Sequence, residues 1–109
     1  MHKKITIFLI VLGVISSLQA ENGKKVFETY CWGCHHQTAV AFGPPFSEIA
    51  SKRTAEEIQA MITDPFGVSK LFGYKRNAMP SFELKKAELD AITAYILSYK
   101  PHAPVKEKP

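Results

Sequence analysis

The chain has 109 residues, which accommodates one domain at most. Its formal net charge is +4, and setting aside the two lysines of the amino-terminal segment, Lys3 and Lys4, leaves +2. This weak positive charge, without a strong basic run, argues against nucleic-acid binding. The sequence also contains no internal repeat, nucleotide-binding loop or candidate hydrolytic triad.

Residues 1–20 have the pattern of a targeting segment and are excluded from the predicted fold. Two lysines precede an apolar run from Ile5 to Leu18, and Ala20 offers a cleavage point. The run is shorter than the ~20 apolar residues of a membrane span. Leu18, however, is bulkier than the small residue that cleavage prefers at this place. We therefore expect an exported chain with a cleaved signal peptide, and an uncleaved membrane anchor is the alternative.

A short helix is predicted over residues 22–30, where Asn22 can cap the first turn. Gly23 and Phe27 lie about one helical turn apart and share a face. Because glycine is a poor helix former, Gly23 is expected to serve close approach to another helix. An amino-terminal glycine without a packing role is the alternative.

Residues 31–35 read Cys-Trp-Gly-Cys-His, which is the C-x-x-C-H pattern of covalent haem attachment. Two thiols at this spacing lie on one side of a helical turn, where they can add to the two vinyl groups at one edge of a haem. His35 follows at once, so its imidazole can reach the iron from the same side. Cys31 and Cys34 are therefore the candidate attachment residues, and His35 is the candidate proximal ligand.

Three other interpretations of the two cysteines were weighed against haem attachment. A thioredoxin-like C-x-x-C needs a βαβ unit, and no convincing strand lies nearby. A zinc site could use Cys31, Cys34, His35 and His36, but four ligands within six residues can hardly surround one ion tetrahedrally. A disulfide would close a very small loop with little entropic gain. Haem attachment is favoured, with thiol redox chemistry as the main alternative.

Residues 36–47 are predicted to form a loop, because Gly43-Pro44-Pro45 cannot continue a helix. Two aromatic residues, Phe42 and Phe46, flank this turn. We expect both of their side chains to line the pocket that the motif opens onto.

A second helix is predicted over residues 54–63, where Thr54 and Glu57 form a capping box. The Asp-Pro pair that follows is expected to end it. Residues 65–84 are then predicted to be a long connection with at most a short helical turn around Ser69–Phe72. A connection of this length is unusual in a compact domain unless it serves function.

Met79 is the candidate second axial ligand of a haem iron. Pro80 biases it away from helical geometry, so a loop presents its thioether. Met61, by contrast, lies at helical spacing among apolar residues, as ordinary core packing requires. His36, immediately after the proximal candidate, and His102, in the tail, are weaker candidates. Met79 could also be a gap-filling side chain.

The last helix is predicted from Lys86 to Lys100, because apolar residues recur at helical spacing between Leu89 and Tyr99. A proline then ends it. Residues 101–109 contain three prolines and charged residues but no apolar cluster, so we expect a disordered tail.

Over residues 21–100, the sequence resembles a small class I cytochrome c of the bacterial monohaem type. C-x-x-C-H alone also occurs in multihaem proteins and enzymes, whereas four elements in family order are a specific signal. The four elements are Gly23–Phe27 leading into Cys31–His35, Gly43-Pro44, Met79-Pro80, and a closing helical segment Glu88–Tyr99 with Tyr95 at its aromatic position.

The resemblance implies an all-α fold in which the N- and C-terminal helices cross, with loops and a middle helix around one covalent haem c. It implies a contact between Phe27 and Tyr95 at that crossing. It also implies that the Pro44 carbonyl accepts a hydrogen bond from His35, which would orient the ring and raise its basicity. A plain rigid turn at Pro44 is the alternative. The axial iron ligands would be His35 and Met79.

An iron with a nitrogen ligand and a thioether ligand favours electron transfer over catalysis, because two strong ligands leave no open coordination position. We therefore expect an electron-transfer protein and not an enzyme. Its expected role is that of a single-electron carrier in a respiratory chain, located in the periplasm, where bacteria attach such haems. A small haem c subunit of a larger membrane or periplasmic oxidoreductase is the alternative.

The expected partners are donor and acceptor redox proteins of a monomeric carrier, with a membrane only if the leader is uncleaved. Lys75-Arg76 and Lys85-Lys86 flank the Met79 loop and could steer an acidic partner. An ordinary solvated surface is the alternative. A five-coordinate iron would instead indicate a catalytic or sensing protein, and a chain without haem would indicate a thiol-redox module.

Overall fold

The computed structural model describes residues 22–101, and all regular secondary structure in that range is helical. The absence of strands among these residues confirms the predicted all-α class. The predicted leader, and the predicted tail apart from Pro101, lie outside the described residues. The five helices are α1 (residues 22–26 continuing into the π-helical turn Phe27–Cys31), α2 (Phe46–Lys52), α3 (Ala55–Thr63), α4 (Pro65–Leu71) and α5 (Lys86–Leu97).

Helix α1 crosses α5 at Gly23, as the sequence predicts. A β-carbon added to Gly23 would lie 2.5 Å from the Ala91 carbonyl oxygen and 2.7 Å from the Tyr95 β-carbon. One turn further on, the Phe27 ring is 2% exposed and its centroid lies 5.8 Å from that of Tyr95. The two backbones therefore approach so closely that only glycine fits at the crossing.

The second half of α1 is wider than an α-helix. The Trp32 N–H donates to the Phe27 carbonyl oxygen at 2.9 Å, a bond that spans five residues instead of four. Single wide turns of this kind are rare and are frequently found at functional sites. Here the wide turn inserts one extra residue into the segment that ends at Cys31, the first residue of the cysteine motif, and so changes the face on which the motif lies.

Helix α2 was not predicted, because the signals that start it are not local. Residues up to Pro45 form the expected loop, but Phe46 begins a helix whose N-cap, Pro45, makes no side-chain hydrogen bond. Two amides of the first turn bond to loop carbonyls instead. The Phe46 N–H donates to His36 at 2.9 Å, and the Ser47 N–H donates to Gln37 at 3.0 Å. These tertiary hydrogen bonds satisfy first-turn amides, as a capping side chain does in other helices.

Helix α3 begins with the capping box that the sequence predicts. The Glu57 N–H donates to Thr54 Oγ1 at 3.2 Å, and the Thr54 N–H donates to Glu57 Oε1 at 2.9 Å. Two amides of the first turn are thereby satisfied, and α3 spans almost the predicted range.

The prediction of a connection beginning at residue 65 is wrong, since α4 starts there. The Asp64 side chain accepts a hydrogen bond from the Gly67 N–H at 3.2 Å and caps the new helix. Pro65 occupies the first helical position, where the missing N–H has no bond to lose. The Asp-Pro pair thus ends one helix and starts the next. The connection that carries Met79 is residues 72–85.

Helix α5 ends at Leu97, before the predicted Lys100, and tightens into a final turn. The Tyr99 N–H donates to the Ile96 carbonyl oxygen at 3.0 Å, which is a bond between residues three apart. Such 3₁₀-type bonds commonly close a helix. None of the helices within residues 22–101 combines the length and the apolar character that crossing a membrane requires.

A single apolar cluster holds α1, α2, α3 and α5 together. A polar bridge lies beside it, in which Gln59 of α3 donates to Asp90 Oδ1 at 3.3 Å and to Thr93 Oγ1 at 3.2 Å. The buried Thr93 hydroxyl also donates to the Leu89 carbonyl oxygen at 2.6 Å. It therefore accepts one hydrogen bond and donates another. The buried residues of this cluster are Val26, Phe27, Phe46, Ile58, Ile62, Ile92 and Ile96.

We predict that Gly23→Ala destabilises the fold by about 1–3 kcal/mol, because the new methyl group overpacks the helix crossing. Urea denaturation of the intact protein measures the effect. Lys24→Ala, one position along and exposed, is the control and should change the free energy of unfolding by less than about 0.5 kcal/mol. Equal effects of the two substitutions would contradict a close contact at Gly23.

We also predict that ionisation of Tyr99 lowers the free energy of unfolding in alkaline solution. The hydrogen bond with Tyr95 and, to a smaller extent, burial raise the pKa of Tyr99 to about 12. The fold therefore favours the protonated phenol. Its contribution is complete below the unfolded pKa of about 10 and is lost as the pH rises from there towards 12. Tyr95→Phe should flatten this decline in the free energy of unfolding, whereas Tyr30→Phe, at an exposed position, should leave it unchanged.

Candidate functional site

The three candidate groups of the motif are held on one turn at the end of α1. Cys31 is the last residue of the π-helical segment. Its carbonyl oxygen accepts from the Cys34 N–H at 3.0 Å and from the His35 N–H at 2.9 Å. The Gly43 N–H donates to the Cys34 carbonyl oxygen at 2.7 Å and ties the turn to the following loop. The structure therefore presents both thiols and the imidazole from a single rigid segment.

The two cysteines are free thiols in different environments. Cys31 is half-buried and packs against the apolar core, whereas Cys34 is exposed. Burial and, secondarily, the nearby Cys34 raise the pKa of the Cys31 thiol to about 11. Reactive redox cysteines have lowered pKa values instead. This environment, together with the absence of strands in residues 22–101, disfavours a thioredoxin-like site.

The His35 ring is oriented by a hydrogen bond to the backbone. Its Nδ1 atom lies 2.8 Å from the Pro44 carbonyl oxygen. A carbonyl oxygen has no proton to donate, so Nδ1 must carry the hydrogen. In the neutral ring, Nε2 then keeps its lone pair and is free to bind a metal. The arrangement is the one that histidine ligands of metals usually have.

Gly43 and Phe46 also contact the imidazole, which the sequence did not reveal. A β-carbon on Gly43 would overlap the ring edge and would lie 2.8 Å from Nδ1. The Phe46 ring is stacked on the imidazole and is 1% exposed. Phe42, expected to line the pocket as well, is 96% exposed. A Gly-Pro turn next to the motif was visible in the sequence, but these contacts depend on how the loop folds back.

Met79 lies in the connection 72–85, half-buried against the same core cluster that Cys31 contacts. The Asn77 side chain holds its backbone on both sides. Asn77 Nδ2 donates to the Met79 carbonyl oxygen at 3.0 Å, and the Met79 N–H donates to Asn77 Oδ1 at 3.2 Å. Further along, the Phe82 N–H donates to the Ile62 carbonyl oxygen at 3.0 Å and anchors the connection to α3.

The competing ligand candidates lie elsewhere. Met61 is half-buried within α3, and His36 follows His35 directly in the turn. His102 lies outside the described residues. Within residues 22–101, no group of three or more His, Cys, Asp or Glu side chains is arranged to hold a metal ion.

The donor set fits a covalently attached haem c. Two free thiols at C-x-x-C spacing suit the two thioether bonds, and the oriented imidazole of His35 offers a nitrogen ligand. A family model described as Cytochrome c matches residues 20–100. Searches of curated proteins and of solved structures found no match to the chain.

We predict that Gly43→Ala lowers the free energy of unfolding by about 1–3 kcal/mol, because the methyl group must displace the His35 ring. Val40→Ala is the control in the same loop, since Val40 is 80% exposed. It should change the free energy by less than about 0.5 kcal/mol. Chemical denaturation of the intact protein measures both, and a Gly43→Ala variant as stable as the control would contradict the contact.

Proposed function

Because the chain belongs to the cytochrome c family, we propose that it is a class I monohaem cytochrome of the bacterial type. In this proposal a His35- and Met79-ligated iron carries single electrons in a respiratory chain. Members of this family bind a covalently attached haem c and transfer electrons to redox partners through it. The ligands, the class, the compartment and the pathway are our proposals.

The observation that carries the proposal is the 2.8 Å contact between His35 Nδ1 and the Pro44 carbonyl oxygen. The carbonyl holds the proton on Nδ1 and so leaves the lone pair of Nε2 free to bind the iron. Cys31 and Cys34 would supply the thioether bonds from the same turn. Bound haem c supplies an iron that alternates between the ferrous and ferric states.

Met79 is the proposed second axial ligand. A soft thioether favours ferrous iron and so raises the reduction potential. The two hydrogen bonds from Asn77 and the ring of Pro80 restrict the Met79 backbone. Electron transfer is faster when the ligands keep their positions as the charge on the iron changes, and a restrained Met79 meets that requirement.

We propose a periplasmic location, which the targeting pattern of residues 1–20 supports, and the proposed partners are a donor and an acceptor redox protein. Lys75, Arg76 and Lys85 are exposed around the Met79 segment. Lys86 is exposed too, but pairs with Asp90 at 2.6 Å. These cations can attract an acidic partner over distances of about a Debye length. The proposed carrier acts as a monomer.

The second candidate function is a small haem c subunit of a larger oxidoreductase. Large apolar side chains are exposed close to the motif in the chain: Trp32 is 62% exposed and Phe42 is 96% exposed. A contiguous exposed apolar patch is typical of interfaces, and Trp32 and Phe42 are the candidates for one. Co-purification with a larger redox protein from the native membrane or periplasm distinguishes this candidate from a free carrier.

We predict that the oxidised protein, made with a haem-attachment system, has a weak long-wavelength absorption band from iron–thioether bonding. Met79→Ala should abolish the band. Met61→Ala, at a half-buried position in α3, is the matched control and should retain it.

Two results would contradict this ligand assignment. A band that survives Met79→Ala would mean that another side chain binds the iron. A high-spin spectrum of the unaltered protein would mean that the iron has an open coordination position, which favours catalysis or sensing over electron transfer.

A further inference from the structure

Phe46 is a buried aromatic residue whose ring is stacked beside that of His35. The ring centroids are 5.7 Å apart, the planes meet at 27°, and Phe46 is 1% exposed. We propose that Phe46 is a positioning residue, which fixes the plane of the His35 imidazole and keeps water from its hydrogen bond to Pro44. This inference rests on the proposed function, in which His35 binds the iron.

The imidazole is restrained on several sides at once. Nδ1 is held by the Pro44 carbonyl oxygen at 2.8 Å. The backbone of Gly43 lies against the ring edge, where it leaves no room for a β-carbon. Neither contact prevents the ring from tilting about the axis of its hydrogen bond. The stacked Phe46 ring opposes that tilt, because its plane lies within 27° of the imidazole plane.

Phe46 is itself fixed relative to the cysteine motif. As the first residue of α2, it donates its N–H to the His36 carbonyl oxygen at 2.9 Å. The next amide, that of Ser47, donates to the Gln37 carbonyl oxygen at 3.0 Å. The first turn of α2 is therefore bonded to the two residues that follow His35, so ring and imidazole keep their relative position.

Beyond the imidazole, the Phe46 ring packs into the crossing of α1 and α5. Its centroid lies 5.2 Å from that of Phe27, at 68°, and 6.2 Å from that of Tyr95, at 90°. Tyr99 adds a fourth aromatic neighbour at 6.5 Å. Because a close-packed interior resists displacement, these rings hold Phe46 against the imidazole. The orientation of His35 is thus coupled to the helix crossing.

The simpler alternative is that Phe46 only fills space. A leucine would then serve almost as well, since hydrophobic substitutions that keep the fold and fill the volume are usually tolerated. A planar ring differs from leucine in one respect that matters here. Stacked rings attract each other beyond the area that they bury, and leucine has no flat face to align with the imidazole.

The test compares Phe46→Leu with Phe27→Leu in the haem-loaded protein. Both substitutions remove a buried ring from the same cluster (Phe27 is 2% exposed), but Phe46 is the one stacked on His35. Nuclear magnetic resonance measures solvent exchange of the His35 Nδ1 proton and, in the oxidised state, the paramagnetic shifts of the imidazole protons. Each exchange rate is divided by that of the Ile92 amide, so that a general loss of stability cancels.

We expect Phe46→Leu to accelerate normalised exchange of the Nδ1 proton by about tenfold, which corresponds to a loss of ~1.4 kcal/mol of protection. The imidazole shifts should change with it. Phe27→Leu, which removes only a neighbour of Phe46, should change both quantities much less, and Phe46→Tyr, which keeps the ring, should stay close to the unaltered values. If Phe46→Leu does not accumulate, Phe46→Met takes its place, because methionine fills the gap without a planar face.

Equal normalised exchange in Phe46→Leu and Phe27→Leu, with unchanged imidazole shifts, would overturn the inference and leave the electron-carrier proposal intact. The paramagnetic shifts of the unaltered protein test the electron-carrier proposal itself. If the His35 protons of the unaltered haem protein show no paramagnetic shift, His35 does not bind the iron, and both proposals fail together.

Discussion

The hydrogen bond between His35 and the Pro44 carbonyl oxygen is the contact on which the site depends. It places the proton on Nδ1, leaves Nε2 available to a metal, and joins the cysteine turn to the loop that leads into α2. Gly43 and Phe46, on either side of that proline pair, meet the same imidazole. One short loop therefore determines the tautomer, the position and the surroundings of the proposed proximal ligand.

Residues at the crossing of α1 and α5 pack against this loop through the Phe46 ring. Gly23 brings the two backbones together, and the aromatic rings packed there extend through Phe46 to His35. Helix α3 anchors the connection that carries Met79, and Asn77 fixes that segment locally. The proposed ligands thus come from distant parts of the sequence but share one apolar core, which supports a centre that changes charge with little movement.

Hydrogen bonds and motifs formed by residues close together in the chain were predictable from the sequence, whereas contacts between distant segments were not. The capping box of α3 was predictable, since Thr54 and Glu57 are three residues apart. Helix α2 was missed because backbone carbonyls cap it, and α4 because Asp64 and Pro65, read as a stop, also start a helix. The C-x-x-C-H motif located the site, but no spacing rule predicts which ring stacks on its histidine.

The proposed site requires that Cys31 and Cys34 bind one haem covalently. Intact mass spectrometry after full denaturation, on chain made with a haem-attachment system, measures this attachment. We expect a denatured chain heavier by one haem, and a chain of polypeptide mass alone when both cysteines are replaced by serine. Release of the haem from the unaltered chain on denaturation would contradict covalent attachment, and with it the proposed site.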